Sequence, residues 1–155
     1  MEVKQRIYRF SANESQGDAS MKALLGGKGA NLAEMAKMGI PVPPGFTLTT
    51  EVCKTWQLAV KEPLHAFKAW FDGLMAEVIQ EDQVLEAQFG YIPLVSVRSG
   101  APVSMPGMMD TILNVGLTTE TLSDWASRIG ARAAADSYRR LIRIALRSLL
   151  PRSPG

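Results

Sequence analysis

Residues Leu25–Thr50 read LGGKGANLAEMAKMGIPVPPGFTLTT. The stretch opens with Gly26, Gly27 and Gly29 around Lys28, runs into a short helical pattern, and ends in Pro41, Pro43, Pro44 and Gly45. Glycines let a backbone approach a ligand closely and take positive φ at little steric cost. A helix starting just after them turns free N–H groups, and the positive end of its dipole, towards whatever sits there. A lysine at that mouth suits a phosphate. The bland alternative is a glycine-rich strand-to-helix turn carrying an ordinary surface lysine.

A second stretch, Leu94–Asn114, reads LVSVRSGAPVSMPGMMDTILN. Its β-rich start delivers Arg98 at the carboxyl end of a strand expected to be central, where ligands collect in open α/β sheets. Arg98 has the planar fork for two parallel bonds to phosphate oxygens; a structural salt bridge is the competing use. The following loop holds Gly100, Pro102, Pro106, Gly107 and the adaptable side chains of Met105, Met108 and Met109. It can close over phosphates and exclude water, or be a mobile connection. Neither stretch is a standard short motif. A Walker A loop needs GK[ST], but Gly29 follows Lys28, and the dinucleotide fingerprint lacks its last glycine or alanine.

Taken together, LLGGKGANLAEM, GIPVPPGFTLTTEVC, LVSVRSGA, SMPGMMDTILNVGL and DSYRRLI resemble the N-terminal end of the pyruvate phosphate dikinase family, which includes phosphoenolpyruvate synthase. The segments fall in that family's order from about Arg9 to Ile142. The resemblance implies an α+β fold, a partial ATP-grasp-like nucleotide-binding domain over residues 1–150 with a tail at 151–155. It carries binding of ATP phosphates onto Lys28, Arg98, Gly26, Gly27, Gly29, Ser104, Gly107, Asp110 and Thr111. Pro102 departs from the family, which usually has a basic residue there. His65, the lone histidine, lies in LHAFKAW, unlike the glycine-rich Ser-His context of the family's phosphate-carrying histidine, and reads as a surface or packing residue.

Composition sets bounds. The 155 residues suit one domain, and 46% apolar with 21% charged residues is ordinary for a chain that buries a core. Seventeen Lys+Arg against fifteen Asp+Glu is too balanced to make nucleic acid or an acidic membrane the main partner. Cys53 is the only cysteine, which excludes an intrachain disulfide and fits a reducing cytoplasm. No run reaches the ~18 apolar residues of a membrane span, and Met1–Phe10 lacks the apolar run of a signal peptide.

Alternation predicts strands at 6–10, 46–49 and 94–97 in one small sheet. Helices are predicted near 29–38, 50–60, 63–88, 120–129 and 136–149. The first carries Leu32, Met35 and Ala36 on one face and stops at Gly39; Thr50 caps the second; Phe67, Phe71, Leu74, Met75 and Val78 stripe the third. Thr118 or Thr119 caps the fourth. The last has Tyr138, Leu141, Ile142, Ala145 and Leu149 on one side and Arg139, Arg140, Arg143 and Arg147 around the other. That basic face is either solvated charge or a site for RNA or an acidic partner.

The family's enzyme is several times longer. Its adenine contacts, magnesium-holding carboxylates, phosphohistidine domain and pyruvate-binding barrel have no counterpart here. Two function classes follow. One is a fragment or split subunit of a dikinase-type phosphotransferase that binds ATP, with magnesium held by a segment outside this chain. The other is a non-catalytic protein-interaction module whose partner is the missing half of the domain or a full-length relative.

Overall fold

A computed structural model describes residues 4–100 and 111–149. The chain divides into two compact units, Met1–Gly90 with Gly100–Pro106, and Tyr91–Ser99 with Gly107–Gly155.

In the first unit, β1 (Ile7–Ser11) turns at Ala12-Asn13 into the two-residue β2 (Glu14–Ser15) and pairs antiparallel with β3 (Gly45–Leu48) on its other side. The register sets Ile7 opposite Leu48, Tyr8 opposite Thr47, Arg9 opposite Phe46 and Phe10 opposite Gly45. Helix α1 (Lys22–Lys37) packs against this sheet, with Leu25, Ala30 and Ala33 buried together beside Tyr8, Met21 and Leu24. The expected face of Leu32, Met35 and Ala36 is thus shifted: Ala36 is buried, but Leu32 is only half-buried and Met35 is 39% exposed. Small residues at Gly29, Ala30, Ala33 and Ala36 let the helix lie close to the strands, and the larger Met35 is left on the outer side.

Helix α2 (Thr50–Ala59) follows β3 directly. Thr50 does not cap it. Thr49 holds the N-cap position, and the Thr50 hydroxyl donates instead to Ala23 O at 2.8 Å, tying the start of α2 to the first turn of α1. Helix α3 (Leu64–Phe89) buries Leu74 and Leu85, with Phe67, Met75 and Val78 half-buried along the expected stripe. The rings of Trp56, Phe67, Trp70 and Phe71 cluster where α2 meets α3. Two ion pairs then fix α3 to the sheet. Arg6 bonds Glu77 at 2.9 Å through two nitrogens, and one turn on Arg9 bonds Glu81 at 2.5 and 3.0 Å.

In the second unit, β4 (Val95–Val97) pairs antiparallel with β5 (Ile112–Val115) in a two-stranded sheet. The predicted single sheet is corrected here: among the described residues, the 95–97 strand shares no ladder with β1 and β3, and it is not a central strand. It is three residues long, and Ser96 and Val97 are exposed, so a short ribbon on β5 satisfies it. The strands β2 and β5 were not foreseen. The expected cap of helix α4 (Leu122–Ile129) at Thr118 or Thr119 is corrected: Thr121 holds the N-cap position without a side-chain cap bond, and Thr118 Oγ1 accepts from the N–H groups of Glu120 and Thr121 at 3.2 Å in the turn that leads into the helix. Helix α5 (Ala131–Leu149) packs on α4 and β5 and begins five residues before the expected Asp136. Ala131, Ala133, Ala134 and Ala135 explain the early start, alanine being the strongest helix former.

Candidate nucleotide-phosphate site

The glycine turn is a break within α1. Gly26 has φ 72° and ψ 168°, and helical dihedrals resume after it. That region of backbone space is essentially restricted to glycine. The chain therefore makes one turn of helix from Lys22, reverses at Gly26, and starts a second helical run at Gly27. The N–H groups of a first helical turn lie beyond the reach of intrahelical carbonyls, and here they belong to the GKG segment.

The three glycines have different jobs. Gly26 supplies the positive φ. Gly27 is half-buried at the start of the resumed helix. Gly29 is buried, and a Cβ there would stand 2.8 Å from Thr47 Cγ2 and 3.3 Å from Leu25 Cβ. A side chain at 29 cannot fit between α1 and β3, so this glycine serves the packing of helix on sheet. Lys28, between them, is exposed and forms no ion pair with a described residue.

Gly100 lies against this turn within the same unit. A Cβ built on it would stand 3.8 Å from both Gly26 Cα and Leu25 O. No sequence pattern could have disclosed this proximity of Gly100 to the glycine break. In the second unit, Arg98 follows β4, is exposed, and forms no ion pair with a described residue. Thr111 is half-buried immediately before β5. The proposed ligands Ser104, Gly107 and Asp110 lie outside the described residues. No group of three or more metal-ligating side chains occurs among the described residues. His65 is exposed at the start of α3.

Arg9 and Asp18 are tied up structurally. The hydrogen bond to Glu81 raises the Arg9 pKa against the opposing effect of burial. A hydrogen bond from the Ser20 hydroxyl, then one from the Ser20 N–H, hold Asp18 below the usual carboxylate range. No helix among the described residues is long and apolar enough to cross a membrane.

A glycine-broken helix start with an exposed lysine, on a small mixed α+β scaffold, has the free first-turn N–H groups that suit an anion. Comparison with known proteins narrows it. Residues 22–66 match the family described as pyruvate phosphate dikinase, AMP/ATP-binding domain. Pyruvate, phosphate dikinase 2 of Oryza sativa subsp. japonica is 48% identical over 147 residues, which cover 90% of this chain and 16% of that protein. The chloroplastic pyruvate, phosphate dikinase 1 of Zea mays is 47% identical over 147 residues, again 90% of this chain and 15% of its own length. The chloroplastic enzyme of Arabidopsis thaliana is 43% identical over 90% of this chain and 14% of its own length. The resemblance read from the sequence therefore holds. Over nine tenths of its length the chain is similar to pyruvate, phosphate dikinases, and it carries sequence of their AMP/ATP-binding domain, while spanning about one sixth of the length of such relatives.

Proposed function

We propose that this chain is the ATP-phosphate-binding portion of a dikinase-type phosphotransferase, an incomplete ATP-grasp-like domain over residues 1–150. Lys28 and the first-turn N–H groups after Gly26 meet the phosphates, Arg98 adds a forked pair of bonds, and Ser104, Gly107, Asp110 and Thr111 contribute further contacts. Magnesium is held by carboxylates of a segment outside this chain. The observation that carries the reading is the glycine-only break at Gly26, with Lys28 exposed beside it and Gly100 packed against it. The 22–66 match to an AMP/ATP-binding domain supports it. A reducing compartment such as the cytoplasm suits the exposed thiol of Cys53.

Magnitudes limit what the chain does alone. Phosphoryl transfer rests on positioning and on neutralisation of charge by metal. Exposed charge pairs contribute about 0–1 kcal/mol each, whereas a millimolar dissociation constant already requires about 4 kcal/mol. Two cations and a few N–H groups approach that value only together. The isolated chain therefore binds ATP weakly and makes no phosphoenolpyruvate. The test is complementation: the remaining part of the domain, taken from a full-length dikinase and added in trans, tightens ATP binding, and Lys28→Ala or Arg98→Ala abolishes the gain. Equal tightening with both variants would remove these residues from the site.

A further inference from the structure

Helices α3 and α5 each leave an outward face that packing within their own units does not use. On α5 the buried side is formed by Ala134, with Tyr138, Leu141 and Ala145 half-buried beside it. On the outer side Ile142 is 43% and Leu146 is 55% exposed, one turn apart, and Arg139, Arg143 and Arg147 run along them at four-residue spacing. Asp136 holds Arg139 and Arg140 at 2.7 Å each, but Arg143 and Arg147 pair with no described residue. On α3, Ile79 is 50% exposed, and Asp82 and Glu86 follow it three and seven positions later, on the same face. Neither carboxylate is in an ion pair among the described residues.

Charge is divided between the units in the same sense. The unit holding α5 has eight arginines, no lysine and four acidic residues, a net +4, which leaves the unit holding α3 at −2 of the chain's total of +2. Arginine is weakly hydrated and matches carboxylates bidentately, the preference seen at protein interfaces.

We propose that α5 of one copy docks on α3 of a second copy, with Ile142 and Leu146 covering Ile79 while Arg143 and Arg147 meet Asp82 and Glu86. The contact is heterologous, so the copies add head to tail until the arrangement closes. It is electrostatically steered and weakens with salt.

Sedimentation equilibrium of the full chain tests this. In low salt the mean mass rises with protein concentration, and about 0.5 M sodium chloride, where the screening length is roughly 4 Å, returns it to the monomer. A chain with Arg143→Glu and Arg147→Glu, and another with Asp82→Lys and Glu86→Lys, each stay monomeric. Circular dichroism checks that both remain folded. Mixed in equal amounts, they associate one to one, because the acidic α5 of the first now meets the basic α3 of the second. The proposal is overturned if the wild-type chain is monomeric in low salt, if either variant associates as the wild type does, or if the mixture shows no gain in mass. Wild-type monomers that co-sediment with phosphatidylserine vesicles would reassign the α5 face to a lipid surface and would equally overturn it.

Discussion

Arg9 on β1 grips Glu81 on α3 across 72 positions of sequence, with Nε 2.5 Å from Oε2 and Nη2 3.0 Å from Oε1. The Glu81 side chain is only 14% exposed against 36% for Arg9, so the pair is desolvated mainly on the carboxylate side. Together with Arg6 and Glu77 it ties a 26-residue helix to β1, the central strand of a three-stranded sheet, and to the residue just before it.

Removing one partner leaves the other unpaired. Arg9→Ala strands a mostly buried carboxylate and should destabilise the first unit by about 1–3 kcal/mol, the cost of an unsatisfied, partly buried charged group. Arg9→Ala combined with Glu81→Leu should recover most of that loss, because replacing both members with apolar groups is close to neutral. Urea unfolding of the two variants checks this. If the single substitution costs as little as the double, the pair is a solvated contact and α3 is held by packing alone.

At Gly26 the expected effect is local and conformational. With φ 72° and ψ 168°, Gly26→Ala should cost about 1–3 kcal/mol. Relieving that strain means straightening α1 across position 26, which displaces Lys28. Thermal unfolding reads the first effect, and loss of whatever ATP affinity the chain has reads the second. A substitution that leaves both unchanged would show that residue 26 tolerates an L side chain and that the break is not built on glycine.

Thr49 gives a prediction of opposite sign. It is 3% exposed, and its hydroxyl finds no hydrogen-bond partner, although it stands at the N-cap of α2. Thr49→Val replaces that hydroxyl with a methyl of similar shape and removes a desolvated polar atom. The variant should be more stable by about 1 kcal/mol in urea unfolding. A loss of stability would mean that the hydroxyl is satisfied in solution.

Much of this was legible in the sequence because local rules and tertiary demands agree there. The alternation of Arg6–Phe10 and Phe46–Thr49 marks two strands that do pair, and the helix end at Gly39 coincides with positive φ. Lys28 stands where the GGKG pattern puts it, on the first turn after a glycine break. The failures share a cause. Val95–Val97 is too short to reveal its partner, and β5, with which it pairs, lies beyond residues 98–111, a separation of 14 residues that no local pattern spans. The buried face of α1 was misread because alanines, chosen for close approach to β3, carry less hydrophobic signal than Leu32 and Met35. Gly29 has a packing role that no local pattern shows, since a Cβ there would meet Thr47. Gly100 could be placed on the Gly26 turn only in three dimensions.

On the proposed reading, Lys28 and Arg98 both contact ATP phosphates. Isothermal titration calorimetry of the chain with ATP and magnesium, on the wild type and on Lys28→Ala, Arg98→Ala and the double variant, tests it most directly. The account predicts a dissociation constant of about 1 mM or weaker for the wild type. Each single variant should lose most of the measurable heat, and the double variant should lose no more than either alone. Micromolar binding that survives in all three variants would contradict it.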